Sequence, residues 1–135
     1  FAGYHAGAEL EVSEERREFL SWICSAVEDT VELFKIKFLA AFDDVATDAL
    51  ARTPGFSSYY LREVLADAAG TAGMELIRRV VGVSKVKDIT SITSEEKRIE
   101  TEKRIIAAAK RLVLDRKAMT SGSCYTELAA FKQEI

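Results

Sequence analysis

Apolar residues recur at steps of three and four along most of the chain. Behind Ser13, the residues Phe19, Ile23, Val27, Val31, Phe34, Phe38, Phe42 and Val45 keep a helical period. Trp22, Ala26, Leu33, Ala41 and Ala49 widen that stripe beyond a single coiled-coil seam. Such a width predicts a helix packed in a globular interior, and an aromatic stripe of this kind reads as core before it reads as a cofactor box. Ser13 is the expected N-cap, with Glu14 and Glu15 in the first turn where the helix dipole favours acids. The pattern is expected to end at Thr53-Pro54-Gly55, since Pro54 and Gly55 both oppose helix continuation, with one break near Asp43-Asp44.

Two more helices follow. Leu61, Leu65, Ala68, Ala72, Leu76 and Arg79 form one stripe, and Tyr60, Val64, Asp67, Thr71, Met74 and Arg78 its neighbour. Gly70, Ala72 and Gly73 thin the middle of this helix at a cost in helix propensity, so a close approach of backbone or ligand is expected there. Gly82 marks its end. Val86–Ile92 then leads to a new start, where Thr93-Ser94-Glu95-Glu96 reads as a capping box with Thr93 as N-cap and Glu96 at N3. The helix it opens carries pairs such as Glu100 with Arg104 on a solvated face, and Ile99, Ile106, Ala109, Leu112 and Val113 on its inward side. Residues 1–12, with Gly3 and Gly7, read as an irregular lead-in. Thr120-Ser121-Gly122-Ser123 reads as a linker, followed by a tail from Tyr125 to Ile135 that forms at most a short terminal helix docked by Leu128 and Phe131. No alternating β run, hairpin dipeptide or internal repeat is present. The expected class is all-α, with one unit over 1–119 and a linker and tail over 120–135.

Composition narrows the partners. A length of 135 residues suits one domain with a real core. The net charge of -3 offers no electrostatic case for nucleic acid or an anionic membrane. Cys24 and Cys124, without CxxC spacing or a histidine cluster, read as free thiols of a reducing compartment, hence the cytoplasm. No apolar run reaches the roughly 18 residues of a membrane span. The chain opens with Phe1-Ala2-Gly3-Tyr4 and no initiator Met, so a piece of something longer is expected.

The candidate chemistry sits at Arg78-Arg79, in the last turn of an otherwise apolar helix. Paired guanidinium groups on a rigid element grip polar or anionic ligands well. The structural alternative is that cations near a helix C-terminus are favoured by the macrodipole, by about 0.3–1 kcal/mol each, or pair with an internal carboxylate. His5, the single histidine, has no nucleophile or carboxylate near it in sequence and argues weakly for catalysis. Asp43-Asp44 is an adjacent carboxylate pair on an apolar helix, and reads as a polar face before a metal site. Neither phosphate-binding glycine motif occurs, nor G-x-S-x-G, nor H-E-x-x-H, so no catalytic set is complete and no metal site is assigned.

The segment from Gly73 to Ile92, GMELIRRVVGVSKVKDITSI, resembles the C-terminal signature of the S-methyl-5-thioribose kinase family, as does the stretch from Glu96-Lys97-Arg98 to Leu114-Asp115-Arg116-Lys117. Upstream, Arg16–Ile23, Val31–Phe34 and Lys37-Phe38 are similar to the helix beyond that family's catalytic core. The resemblance runs to about residue 118, and Ile77-Arg78-Arg79 is its most specific part. It implies a protein-kinase-like fold related to choline and aminoglycoside kinases. It also implies transfer of the ATP γ-phosphate to the 1-hydroxyl of 5-methylthioribose in methionine salvage, in a homodimeric enzyme using ATP and Mg²⁺. By the resemblance, Arg78 and Arg79 contact the sugar. The family's nucleotide loop, its lysine, the catalytic-loop aspartate and the Mg²⁺-binding acidic motif lie upstream and have no counterpart here, and no Gly-Asp follows His5. The expectation is therefore a C-terminal helical part that binds neither ATP nor Mg²⁺ and phosphorylates nothing alone. The alternative is a non-catalytic helical scaffold or dimerisation module whose arginines only close internal ion pairs.

Overall fold

Ser13 caps the longest helix, its side chain accepting the Arg16 backbone N–H at 3.2 Å, with Glu14 and Glu15 in the first turn. The computed structural model describes residues 1–129, which hold six α-helices and no strand. These are α1 (Ala2–Glu9), α2 (Glu14–Val45), α3 (Phe56–Val81), α4 (Lys87–Thr90), α5 (Glu95–Leu114) and α6 (Gly122–Ala129), with a 3₁₀ turn at Arg116–Ala118. The all-α expectation is met. Phe131 and the rest of the expected terminal helix lie outside the described residues.

α3 is the central element. It runs antiparallel to α2 at one end, where Phe38 and Phe42 meet Phe56 and Tyr60 with ring centroids 5.9–6.2 Å apart. It runs antiparallel to α5 along the rest of its length. There the small-residue stretch has its explanation: a Cβ on Gly73 would lie 2.7 Å from the Ala109 carbonyl oxygen and 2.8 Å from Val113 Cγ2. The thin segment accommodates a helix backbone, and so recovers by packing what glycine loses in propensity. α6 uses the same device against α2, since a Cβ on Gly122 would stand 2.3 Å from Glu28 Cα. The main core gathers Tyr4, Leu20, Cys24, Val80, Ile89, Ile92 and Ile105, and a second cluster gathers Ala69, Leu112 and Met119.

Several local expectations are corrected. Residues 1–12 are not irregular: α1 forms despite Gly3 and Gly7, because Tyr4 and Ala6 are buried in the main core. Tertiary burial outweighs weak local propensity. α2 ends at Val45, at the break expected near Asp43-Asp44, and does not resume before Pro54. Beyond it, the Asp48 carboxylate accepts the Leu50 N–H at 2.8 Å, a turn that competes with helix, and Gly55 starts α3 from a left-handed φ of 84°.

The apolar stripe of α2 is not core along its length. Leu20 and Cys24 are its buried residues, whereas Phe19, Val27, Phe34 and Val45 are exposed and Trp22 is 66% exposed. At 32 residues the helix is about 48 Å long and overshoots its neighbours. Similarly, α3 buries Leu61, Leu65, Ala66, Ala69, Gly73 and Val80, leaving Ala68 outside.

α5 is capped by Ser94, whose hydroxyl oxygen accepts the Lys97 N–H at 3.4 Å, so the expected Thr93–Glu96 box does not form. Thr93 instead donates its backbone N–H to Glu9 Oε1 at 2.8 Å and its hydroxyl to the same carboxylate, tying α5 to α1. The buried face of α5 is Thr101, Ile105, Ala108, Ala109 and Leu112, with Ile99 exposed. Where Thr120–Ser123 reads as a linker, α6 already begins at Gly122, held by Glu28, which accepts the Thr126 hydroxyl at 2.6 Å.

The two glycines of α3 are expected to respond oppositely to alanine. At Gly70 the nearest foreign atom to a new Cβ is Arg116 Cδ at 3.5 Å, an ordinary contact, so Gly70→Ala should gain up to about 1 kcal/mol from helix propensity. Gly73→Ala should instead lose about 1–3 kcal/mol to overpacking against α5. Thermal denaturation of both variants decides it: equal shifts in Tm would show that the α3–α5 contact is looser than described.

Candidate functional site

The end of α3 is built on the run Met74-Glu75-Leu76-Ile77-Arg78-Arg79. Both arginines lie in its last turn, where the dipole favours cations. Gly82 closes the helix in extended backbone, its N–H donating to the Arg78 carbonyl at 3.0 Å.

Glu75 stands three and four residues before the arginines, the two spacings that share a helix face. Arg78 donates Nε to Glu75 Oε2 at 2.8 Å and Nη2 to Oε1 at 2.7 Å, a two-pronged grip. Arg79 donates Nε to the same Oε1 at 2.7 Å, and its Nη1 reaches Ser84 Oγ at 3.4 Å. One carboxylate thus holds both guanidinium groups side by side. The bonds from Arg78 first, and then from Arg79, hold the Glu75 carboxyl down at about 2, and Glu75 in turn raises the pKa of Arg78.

This cluster is open to solvent, with side-chain exposures of 53% for Arg78, 33% for Arg79 and 44% for Glu75. Exposed pairs of this kind contribute little to stability and exchange readily. Arg78 Nη1 and Arg79 Nη2 donate to no group of the described residues, so both retain donors for a hydroxyl or an oxyanion. The cluster carries two positive charges and one negative, and so favours an electron-rich ligand without requiring a full anion.

The structure brings Arg78 and Arg79 together, but leaves the other candidates apart from them. His5 lies half-buried on α1. Asp43 and Asp44 are exposed in the last turn of α2, and the described residues contain no group of three His, Cys, Asp or Glu side chains fit to hold a metal. Cys24 and Cys124 are free thiols. No helix of the described residues is long and apolar enough to cross a membrane. The member that sequence reading passed over is Glu75. Its signal was present in the spacing Glu75-x-x-Arg78-Arg79.

An all-helical module presenting a carboxylate-clamped arginine pair is the class that the fold and this site define. No protein-family model matches the chain. Individual relatives do. The chain is 41% identical over 81 residues to the methylthioribose kinase of Cronobacter sakazakii, covering 60% of this chain and 20% of the relative. It is 38% identical over 88 residues to that of Citrobacter koseri, covering 65% and 22%. It is 34% identical over 83 residues to that of Yersinia enterocolitica, covering 62% and 21%. The resemblance to methylthioribose kinases is thus carried by sequence identity across much of the chain, which spans about a fifth of the length of the curated relatives it matches.

Because the folded pKa of Glu75 is depressed, the clamp is complete above the ordinary glutamate pKa of about 4.3 and is lost only as pH falls through about 2. An NMR titration of the Glu75 carboxyl carbon is expected to show a midpoint near 2. A midpoint at the ordinary value would mean that the three side chains do not hold together in solution.

Proposed function

We propose that this chain is the C-terminal helical part of an ATP-dependent kinase that phosphorylates the 1-hydroxyl of 5-methylthioribose, with Arg78 and Arg79 as sugar-binding residues. The observation that carries this reading is the sequence identity to methylthioribose kinases over 81–88 residues. The open arginine pair supports it chemically. Guanidinium groups offer fixed donors to sugar hydroxyls and can offset charge that develops during phosphoryl transfer. Glu75 fits as a placeholder: it keeps both side chains oriented, and a ligand that supplies oxygens can take over their bonds. Positioning of this kind accounts for much of the catalysis of phosphoryl transfer.

ATP and Mg²⁺ are not matched by these residues. Mg²⁺ is bound through one or two carboxylates with phosphates and water, and Asp43-Asp44, an adjacent carboxylate pair of α2, stands exposed at the end of its helix with no group of three His, Cys, Asp or Glu fit for a metal among the described residues. In the proposed enzyme the nucleotide and its metal are held by the kinase-like remainder, and this part contributes scaffold and sugar contacts. The same reading makes the whole enzyme a cytoplasmic homodimer acting on a small sugar in methionine salvage.

A second reading is favoured by one observation, the closure of both arginines on Glu75. In that reading the chain is a helical scaffold and the cluster only finishes α3. Steady-state kinetics of the whole kinase separate the two. Loss of a charge-assisted hydrogen bond costs about 1.5–3 kcal/mol, so Arg79→Ala should raise KM or lower kcat by roughly tenfold to a hundredfold, with Tm nearly unchanged. Unaltered kinetics would assign the arginines to the scaffold.

A further inference from the structure

A guanidinium group takes two oxygens of one anion along either of two edges, Nε with Nη2 or Nη1 with Nη2. Glu75 fills the Nε–Nη2 edge of Arg78, at 2.8 and 2.7 Å. On Arg79 it takes Nε at 2.7 Å, and Ser84 takes Nη1 at 3.4 Å, so each edge of that group has one nitrogen already engaged. Charge is reduced together with donors. Two guanidinium groups beside one carboxylate leave a single positive charge, and the carboxyl, held at about 2, keeps its negative charge at neutral pH.

Resting on the reading of this pair as a sugar site, we propose that Glu75 is a specificity-determining residue that makes Arg78 and Arg79 select neutral over phosphorylated sugars. A hydroxyl oxygen needs one N–H, and Arg78 Nη1 and Arg79 Nη2, which donate to no group of the described residues, supply it. A phosphate monoester differs in charge and in shape. It carries about −1.5 to −2 near neutral pH and is held best by two-pronged donors. Here it meets edges that Glu75 occupies and a carboxylate of like charge, and both weaken its binding relative to a neutral sugar. Where a ligand takes over the bonds of Glu75, the carboxylate stays tethered to the same helix turn and still opposes an anion.

Two measurements on Glu75→Gln and Glu75→Asp test the assignment. The Glu75 side chain is 44% exposed, so both variants keep the fold, which circular dichroism checks. In the 135-residue chain, inorganic phosphate titrated against the arginine Nε–H NMR signals is expected to bind Glu75→Gln about tenfold more tightly than the native chain. Glu75→Asp, which restores the charge, should return to near the native Kd. In the whole kinase, ribose 1-phosphate and ribose 5-phosphate carry the anion at either end of the sugar, and ribose is the neutral control. The Ki of the phosphate that meets the pair, against methylthioribose, should fall about tenfold relative to the Ki of ribose in Glu75→Gln, and recover in Glu75→Asp. A glutamate with only a structural role would move all of the Ki values together. Phosphate affinity unchanged by Glu75→Gln, or equal shifts of the Ki values, would overturn the proposal. So would tighter phosphate binding by the chain with unchanged discrimination by the kinase, and Arg79→Ala then separates the two failures. A raised KM for methylthioribose in that variant means that the pair binds sugar but Glu75 does not select it. An unaltered KM means that the sugar-site reading itself has failed.

Discussion

The contact between α3 and α5 at Gly73 is the constraint on which the other parts depend. With the Ala109 carbonyl where a side chain would otherwise stand, the two helix backbones lie close along their length. That closeness buries Ala69, Leu112 and Met119 on one side and brings Val80 to Ile105 in the main core on the other. α5 then positions Ser94, Thr93 and the Glu9 contact that ties down α1. A helix of larger residues at this point would hold α5 away and open both clusters, since interiors tolerate little added volume.

The same packing makes α3 a rigid platform, and this matters for the arginine pair. Arg78 and Arg79 extend from the final turn of a 26-residue helix anchored by Val80 in the core. Their backbone is fixed while their side chains stay half in solvent, paired with a carboxylate that a ligand can replace. A buried pair would be costly to open, and unpaired arginines would lack a set orientation. The Glu75 clamp lies between these limits: it orients both guanidinium groups and stays open to solvent.

The long α2 is the counterexample to uniform burial. Its inner turns reach the core through Leu20 and Cys24, while its far half meets α3 through tilted aromatic pairs and leaves Phe34, Ile36 and Val45 facing solvent. Amphipathic periodicity reports that one face is apolar. It does not report whether a neighbour covers that face.

Helix content, the Ser13 start, the stop at Gly82 and the crowded role of the small residues in α3 were legible in the sequence, because each follows from local backbone chemistry or residue volume. The arginine pair was legible too, and so was its resemblance to methylthioribose kinases. Glu75 was recoverable from i,i+3 and i,i+4 spacing alone. Other features depended on contacts between residues far apart in the chain. Thr93 gave up its local cap to bind Glu9, 84 residues away. α1 formed in a glycine-containing segment because Tyr4 found a core, and Gly122 became a helix start because Glu28 lay against it. The sequence by itself determined where helices can form and which chemistry α3 carries. Tertiary structure alone decided which faces are buried, which caps are used and where the grooves lie, because those depend on the surface each helix meets.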